Sequence, residues 1–208
     1  MTYPTGDGAA RTANARTAGP GSRTDRVKAA VAVMTGWVAL LWILEAVDAA
    51  TGALDTYGLS PRRFGELRDI IPMAFLHHGF GHLASNTVPL LVLGFLAALS
   101  GIRRFAAVVL TIMVVGGLGV WLTAAAHSVT AGASGVVFGL LGYLLVRGFV
   151  NRRALDIVVG LLVLAVYGSV LWGVLPGDPS ISWQGHLFGL IGGVLAAFLF
   201  RAHRPPRG

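Results

Sequence analysis

Six long apolar segments, separated by one long and four short polar breaks, make up most of this chain of 208 residues. Each is about as long as the stretch that an α-helix needs to cross a bilayer, about 20 residues. In chain order they cover residues 29–50, 81–100, 105–126, 134–150, 156–175 and 185–200. Because a backbone in lipid must satisfy its own hydrogen bonds, the sequence predicts an all-α membrane protein with six transmembrane helices.

The charged residues support a membrane protein and argue against a nucleic-acid-binding protein. Only 12% of the residues are charged, whereas soluble domains carry about 25%. The net charge is +7, but the basic residues lie at segment ends and in the tails, as membrane topology requires, so we reject a nucleic-acid-binding function. The chain contains no cysteine, which excludes disulfides and thiolate chemistry.

The positions of Lys and Arg also predict the orientation. Thirteen of the 16 fall within residues 1–28 or at, or just after, the ends of the second, fourth and sixth segments. Since basic residues are enriched in cytoplasmic loops, both termini are predicted to be cytoplasmic. We divide the chain into a disordered basic tail at 1–26, a membrane domain at 27–201 and a short cytoplasmic tail at 202–208.

The first segment has a competing interpretation as a cleaved signal peptide, because the small residues Ala49 and Ala50 end it. We favour a retained helix, since the segment is long and Glu45 and Asp48 lie where cleavage needs neutral residues. Residues 51–80 mix basic and acidic side chains and become apolar only towards their end. They are predicted to form a long outer loop between helices 1 and 2, partly in the membrane interface.

Polar residues occur at the same end of three segments. The second, fourth and sixth segments all enter from the predicted outer side. The second begins with His82 and Asn86, which share a helix face, the fourth with Ser134, and the sixth with His186. Polar groups at membrane depth are costly and usually face an interior cavity. The topology therefore predicts that two imidazoles, an amide and a hydroxyl meet at one depth.

Glycines surround Ser134 on both sides. Gly132 and Gly135 leave its hydroxyl open and let the backbone approach closely. At a helix start the neighbouring N–H groups are unpaired and can stabilise an oxyanion. On this stretch alone the commoner interpretation is a serine N-cap with glycines that serve helix packing.

Two pairs of glycines predict how the fourth and sixth helices meet. Gly189 and Gly193 follow His186 on one helix, and Gly135 and Gly139 show the same four-residue spacing on the other. Small residues at this spacing let helices pack closely in membranes. Such a contact would bring the serine and histidine within hydrogen-bond reach, as a base-activated nucleophile requires.

None of the nine carboxylates lies in the apolar part of the second, fourth or sixth segment. The prediction is therefore a dyad of Ser134 and His186, with the imidazole oriented by packing. The Ser134 backbone N–H, His82 and the Asn86 amide would form the oxyanion site.

These motifs together resemble those of the rhomboid intramembrane serine proteases. Gly132-Ala133-Ser134-Gly135 is similar to the family's G-x-S-G motif. His77, His82 and Asn86 match its H-x-x-x-x-H-x-x-x-N pattern, and His186 with its glycines matches the histidine motif of the sixth span.

The resemblance covers about residues 62–200 and implies a rhomboid-like six-helix bundle in a bacterial inner membrane. It implies cleavage of single-pass transmembrane substrates near the outer face, with no cofactor and no metal. It also implies that Ser134 and His186 are the dyad and that His82 and Asn86 contact the oxyanion. The sequence departs from the family at Leu67-Arg68, where Trp-Arg is common, and at Phe138, where some members carry a tyrosine that stacks on the histidine.

Two other functions remain as alternatives. A transporter or channel could use His78 and His82, whose i, i+4 spacing can share a metal or proton, but no intramembrane carboxylate or cysteine completes a ligand set. A catalytically inactive rhomboid relative could bind membrane proteins without cutting them. The sequence assigns no substrate, no oligomeric state and no role to His77 or His78.

Overall fold

The computed structural model describes residues 22–178 and 181–201. The predicted C-terminal tail at 202–208 lies outside the described residues. Of the predicted N-terminal tail at 1–26, residues 1–21 also lie outside them. The described part contains six α-helices: α1 (Arg23–Thr51), α2 (Phe80–Ala98), α3 (Ile102–Thr123), α4 (Ser134–Asn151), α5 (Ala154–Tyr167) and α6 (Trp183–Leu199). Short 3₁₀ helices cover Asp55–Tyr57, Phe64–Ile70, Pro72–Phe75 and Gly168–Val174.

The predicted all-α membrane architecture is confirmed. Five helices are long and apolar enough to cross a membrane, when the 3₁₀ continuation of α5 is included. The sixth, α6, has 17 residues, which corresponds to about 26 Å. At the N-terminus α1 begins at Arg23 rather than after residue 26, because Ser22 and Asp25 form a capping box there.

Short connections make neighbouring helices antiparallel. Three residues join α2 to α3, and two join α4 to α5. As a result α2, α4 and α6 begin at one end of the bundle, which we call the site end. The other end, which we call the basic end, carries Arg103, Arg104, Arg152 and Arg153.

The central helix is α4, which packs against α2, α3, α5 and α6. Its residues Leu140, Leu141 and Leu144 are completely buried. By contrast α5 lies at the periphery, where only Gly160 and Val163 are buried. A helix that is apolar all round and exposed on most of its surface is typical of a lipid-facing position.

Glycines bring α4 and α6 into backbone contact. A side chain at Gly189 would collide with the backbone of Gly135, and one at Gly193 would collide with that of Gly139. The two glycine pairs of the sequence therefore face each other, and the starts of the two helices lie side by side.

The loop at 52–79 is tied to the site end by hydrogen bonds. Leu59 and Thr130 exchange two backbone bonds, with N···O distances of 2.9 and 3.0 Å. The guanidinium of Arg62 donates to the Ala124 carbonyl at 2.8 Å, just past the end of α3. The loop therefore holds the segment that leads into α4.

Arg147 ties three helices together at the basic end. This side chain is buried, and its guanidinium pairs with Asp156 of α5 at 3.1 Å. It also donates to the Ser100 hydroxyl at 3.1 Å and to the Leu96 carbonyl at 3.3 Å. A buried arginine with several acceptors fixes the relative positions of the elements that supply them.

Candidate active site

Ser134 is the first residue of α4. The N-cap is Ala133, and no side chain caps the helix. The Ser134 hydroxyl therefore does not act as an N-cap, whereas the expected role of Gly135 in helix packing is confirmed by its contact with α6. The first N–H groups of a helix have no partner within it, which makes this end a potential anion site.

The two residues before Ser134 are held by the outer loop. The Gly132 N–H donates to the Met73 carbonyl at 2.8 Å. The Ala133 N–H donates to Nε2 of His77 at 3.2 Å. Because these two donors are used, the N–H groups that α4 can offer to a bound oxygen begin with that of Ser134.

A glycine is required at position 132 for two reasons. Its φ of 139° lies in a region that other residues rarely adopt. A Cβ built there would lie 3.1 Å from Nε2 of His82 and 3.6 Å from Oγ of Ser134. The missing side chain thus lets the His82 imidazole approach the start of α4 beside the Ser134 hydroxyl, which is where the donors of an oxyanion site would have to converge.

His82 and Ser134 both line a cleft of about 730 Å³ at the site end. Its other walls come from the end of α3, the segment before α4 and the turn before α6, and they include His78 and Asp178. This volume lies within the range of about 300–1,000 Å³ that is typical of ligand sites. His186 and Asn86 are not among the lining residues.

His186 is buried on α6 and contacted on two sides. The ring of Phe138 stacks on it, with centroids 4.0 Å apart. Its Nδ1 lies 2.9 Å from the Gly173 carbonyl oxygen. Because a carbonyl oxygen can only accept, this bond requires the proton to be on Nδ1, which leaves Nε2 free to act as a base. The sequence predicted that packing orients this ring. It did not predict the hydrogen bond to the Gly173 carbonyl.

The starts of α4 and α6, which carry Ser134 and His186, lie side by side. A Cβ on Gly135 would lie 3.2 Å from the Gly185 carbonyl oxygen. Among the described residues, no hydrogen bond joins the Ser134 hydroxyl to His186. Catalytic hydrogen bonds are often long without substrate and shorten when it binds.

Asn86 is buried one turn beyond His82 on α2. Its amide donates to the His82 carbonyl at 3.1 Å, and the Ser85 hydroxyl donates to the same oxygen at 2.7 Å. One amide hydrogen of Asn86 is thus used within α2, while the second is available. Asn86 therefore fixes the helical turn that carries His82.

His77 has a structural position that the sequence did not reveal. The residue is 3% exposed, and its ring centroid lies 5.2 Å from that of His82. Burial, followed by repulsion from His82 and His78, lowers the pKa of His77 to about 4. A neutral His77 can accept the Ala133 N–H, so it positions the residue before the serine. Its place in the H-x-x-x-x-H spacing was the only signal.

The potential metal ligands are dispersed. No three His, Cys, Asp or Glu side chains are grouped as a metal site within residues 22–178 and 181–201. A zinc site needs at least three protein ligands. His78 and His82 therefore lack a third ligand in the described part of the chain.

Several known proteins are similar in sequence to most of this chain. A family model described as Rhomboid domain matches residues 64–203. "Uncharacterized protein Rv1337" of Mycobacterium tuberculosis is 45% identical over 175 residues, which are 80% of this chain and 73% of that protein. "Putative rhomboid protease YdcA" of Bacillus subtilis is 33% identical over 172 residues, which are 77% of this chain and 83% of that protein.

A third relative, "Rhomboid protease GluP" of Bacillus subtilis, is 32% identical over 134 residues, 64% of this chain and 26% of that protein. No solved structure gives a match. The family model spans more than half of the chain, and its match includes every residue of the candidate site. This chain therefore belongs to the rhomboid family.

Proposed function

We propose that this protein is an intramembrane serine endopeptidase that cleaves single-pass transmembrane proteins. One observation supports this most directly. Ser134 and His186 lie at the starts of two helices that touch through glycines, and the carbonyl bond at Nδ1 leaves the imidazole ready to accept a proton. A nucleophile beside an oriented base is the requirement for acyl transfer.

In the first step the Ser134 oxygen attacks the carbonyl carbon of the scissile peptide bond. Nε2 of His186 takes the hydroxyl proton as the new C–O bond forms. The same proton is then delivered to the leaving amine when the C–N bond breaks. The product of this step is an ester between Ser134 and the N-terminal part of the substrate.

The tetrahedral intermediate carries a negative oxygen that needs donors. We assign these to the Ser134 backbone N–H, the His82 imidazole and the second amide hydrogen of Asn86. Because Gly132 has no side chain, the His82 ring lies close to the start of α4, which supports its assignment as a donor beside the Ser134 N–H. Preorganised donors of this kind are often the largest single contribution to catalysis.

Water completes the reaction. A water molecule from the cleft attacks the ester carbonyl, and His186 accepts its proton and returns it to the Ser134 oxygen. The cleft at the site end supplies access for this water, because its volume of about 730 Å³ exceeds that of a few water molecules.

The proposed orientation has the basic end in the cytoplasm of a bacterial cell and the site end outside the inner membrane. It rests on the excess of Lys and Arg at the basic end. Reporter fusions at Gly208 and at Pro176 should report inside and outside, respectively. The opposite pattern would contradict both the topology and the outward-facing cleft.

The decisive experiment uses a fluorophosphonate probe and a model transmembrane substrate in detergent. Ser134→Ala and His186→Ala should each abolish cleavage, and the double variant should be no worse, because the two residues act as one unit. Ser169→Ala and His127→Ala, which change exposed residues, should remain active.

Retention of labelling and cleavage by Ser134→Ala would refute the proposal. Stable binding of substrate without cleavage by the wild-type protein would favour the inactive relative. An activity removed by chelators would favour the metal-dependent class.

A further inference from the structure

The partner of the buried His186 nitrogen belongs to a different element from His186 itself. Gly173 lies in the 3₁₀ helix Gly168–Val174, which continues α5. Its carbonyl oxygen is 2.9 Å from Nδ1, and the two residues are 13 positions apart. The 3₁₀ helix that continues α5 therefore contacts His186, the base of the proposed dyad.

This contact determines which nitrogen can act as the base. A neutral imidazole carries its proton on either nitrogen, and the hydrogen bond at one nitrogen sets the state of the other. A backbone carbonyl has no proton to donate, so it selects the form protonated on Nδ1. The opposite form would place a proton on the nitrogen that must accept one from Ser134.

The local packing favours a glycine at this position, because a side chain would have to displace its neighbours. A Cβ on Gly173 would lie 3.0 Å from Cζ of Phe138 and 3.1 Å from Nδ1 of His186. Both distances are shorter than ordinary contacts. Gly173 is not among the glycines with positive φ, so its backbone conformation would accept alanine. The constraint comes from the two neighbouring rings alone.

We infer that Gly173 is a positioning residue of the active site, whose carbonyl orients His186 in the way that a carboxylate does in a three-residue catalytic unit. This inference rests on the proposed protease function. It explains how a dyad can keep its base in one tautomer. Phe138 stacks on the face of the imidazole, and the Gly173 carbonyl accepts a hydrogen bond from its Nδ1. A backbone carbonyl thus provides the hydrogen-bond acceptor that a carboxylate provides in a three-residue catalytic unit.

The inference makes the orientation of the base depend on α5. None of the residues in Gly168–Val174 is buried, and the neighbouring Trp172 is 74% exposed. The acceptor is therefore carried by a peripheral element rather than by the packed core around α4. A change confined to this element can alter the base while α4 and α6 remain in place.

The first test is the tautomer of His186 in the full-length protein. The protein is labelled with ¹⁵N-histidine, purified in detergent, and compared with His186→Gln to assign the two ring nitrogens by NMR. We expect the proton on Nδ1 in the wild-type protein without substrate. In Gly173→Ala we expect the signals to shift towards a mixture of the two tautomers, and in Gly168→Ala we expect the wild-type pattern.

The second test is kinetic and uses the same variants. Misplacement of a catalytic group by about 1 Å can cost about a hundredfold in rate. Gly173→Ala should therefore lower kcat by about that factor, with KM nearly unchanged, because the substrate cleft is not altered. Gly168→Ala is the matched control, since it lies in the same 3₁₀ helix and a Cβ there meets only the Leu164 side chain.

If Gly173→Ala does not fold, an ester in place of the amide between Gly173 and Val174 weakens the carbonyl as an acceptor without adding atoms. The same replacement between Gly168 and Ser169 is its control. A wild-type His186 protonated on Nε2 would overturn the inference. A wild-type tautomer together with a wild-type kcat in Gly173→Ala, or in the protein with the ester after Gly173, would also overturn it. A wild-type protein that neither cleaves nor reacts with the fluorophosphonate would instead overturn the proposed protease function.

Discussion

The phenyl ring of Phe138 lies parallel to the imidazole of His186, with 4.0 Å between centroids and 7° between planes. Phe138 follows Ser134 by one turn on α4, so the helix that carries the nucleophile also supports the base. Such a pair contributes about 1 kcal/mol beyond burial. We therefore expect Phe138→Leu to lower kcat by about fivefold in a steady-state cleavage assay. Phe149→Leu, at the exposed end of α4, is the control, and equal rates would argue against a role for stacking.

Replacing Gly132 should affect both stability and catalysis. Gly132→Ala forces a side chain into a positive φ and against His82, with 2.7 Å from the new Cβ to Cε1. Gly101 also has a positive φ, 108°, but has open space around it. Both alanine variants should melt earlier, since such backbone strain costs about 1–3 kcal/mol. Only Gly132→Ala should also lose kcat, by about a hundredfold. Equal activity in the two variants would contradict a role in catalysis for the close approach of His82 to Gly132.

His77 should make stability depend on pH. The unfolded chain takes up this proton near pH 6.5, whereas the folded protein takes it up only near pH 4. Between these values the unfolded state binds more protons, so stability falls as pH is lowered, by on the order of 3 kcal/mol in all. His77→Gln keeps an acceptor for the Ala133 N–H but does not titrate.

The melting temperature of His77→Gln in detergent should therefore fall less between pH 6.5 and 4 than that of the wild-type protein. His127→Gln, a change at an exposed position, should follow the wild-type curve. Parallel curves for all three proteins would show that His77 does not stay neutral when it folds.

His82 and Asn86 should differ in which parameter they change. Loss of an oxyanion donor typically lowers kcat by about a hundredfold to a thousandfold, and we expect this for His82→Ala with KM little changed. Asn86→Ala should also lower the melting temperature, because its amide bonds the His82 carbonyl within α2 and a lost buried bond costs about 1–3 kcal/mol. Measurements of kcat, KM and melting temperature separate the two effects. Unchanged kcat in both variants would remove them from the oxyanion site.

The sequence was sufficient to predict the helices because apolar runs of membrane length have few alternative structures. The segment predicted at 134–150 is observed as Ser134–Asn151, and that at 185–200 as Trp183–Leu199. Glycine spacing likewise indicated where α4 and α6 touch, since only small residues allow backbones to approach so closely. At the N-terminus the capping box at Ser22 was missed, which placed the start of α1 too late.

The contacts that position the site were not predictable in the same way. The Ala133 N–H meets His77 across 56 positions of sequence, and His186 meets a backbone carbonyl. Every residue has a carbonyl, so no residue type marks the one that will serve as an acceptor. These bonds are set by tertiary packing of the outer loop and of the end of α5, which periodicity does not encode.

The order of the site residues along the chain has a consequence for biogenesis. Ser134 lies on α4, Gly173 follows α5, and His186 arrives only on α6. A polypeptide that has been synthesised and inserted as far as residue 175 holds the nucleophile, the donors and the carbonyl, but no base. Under the proposed mechanism the partly synthesised protein cannot cleave neighbouring membrane proteins until α6 has entered the bilayer.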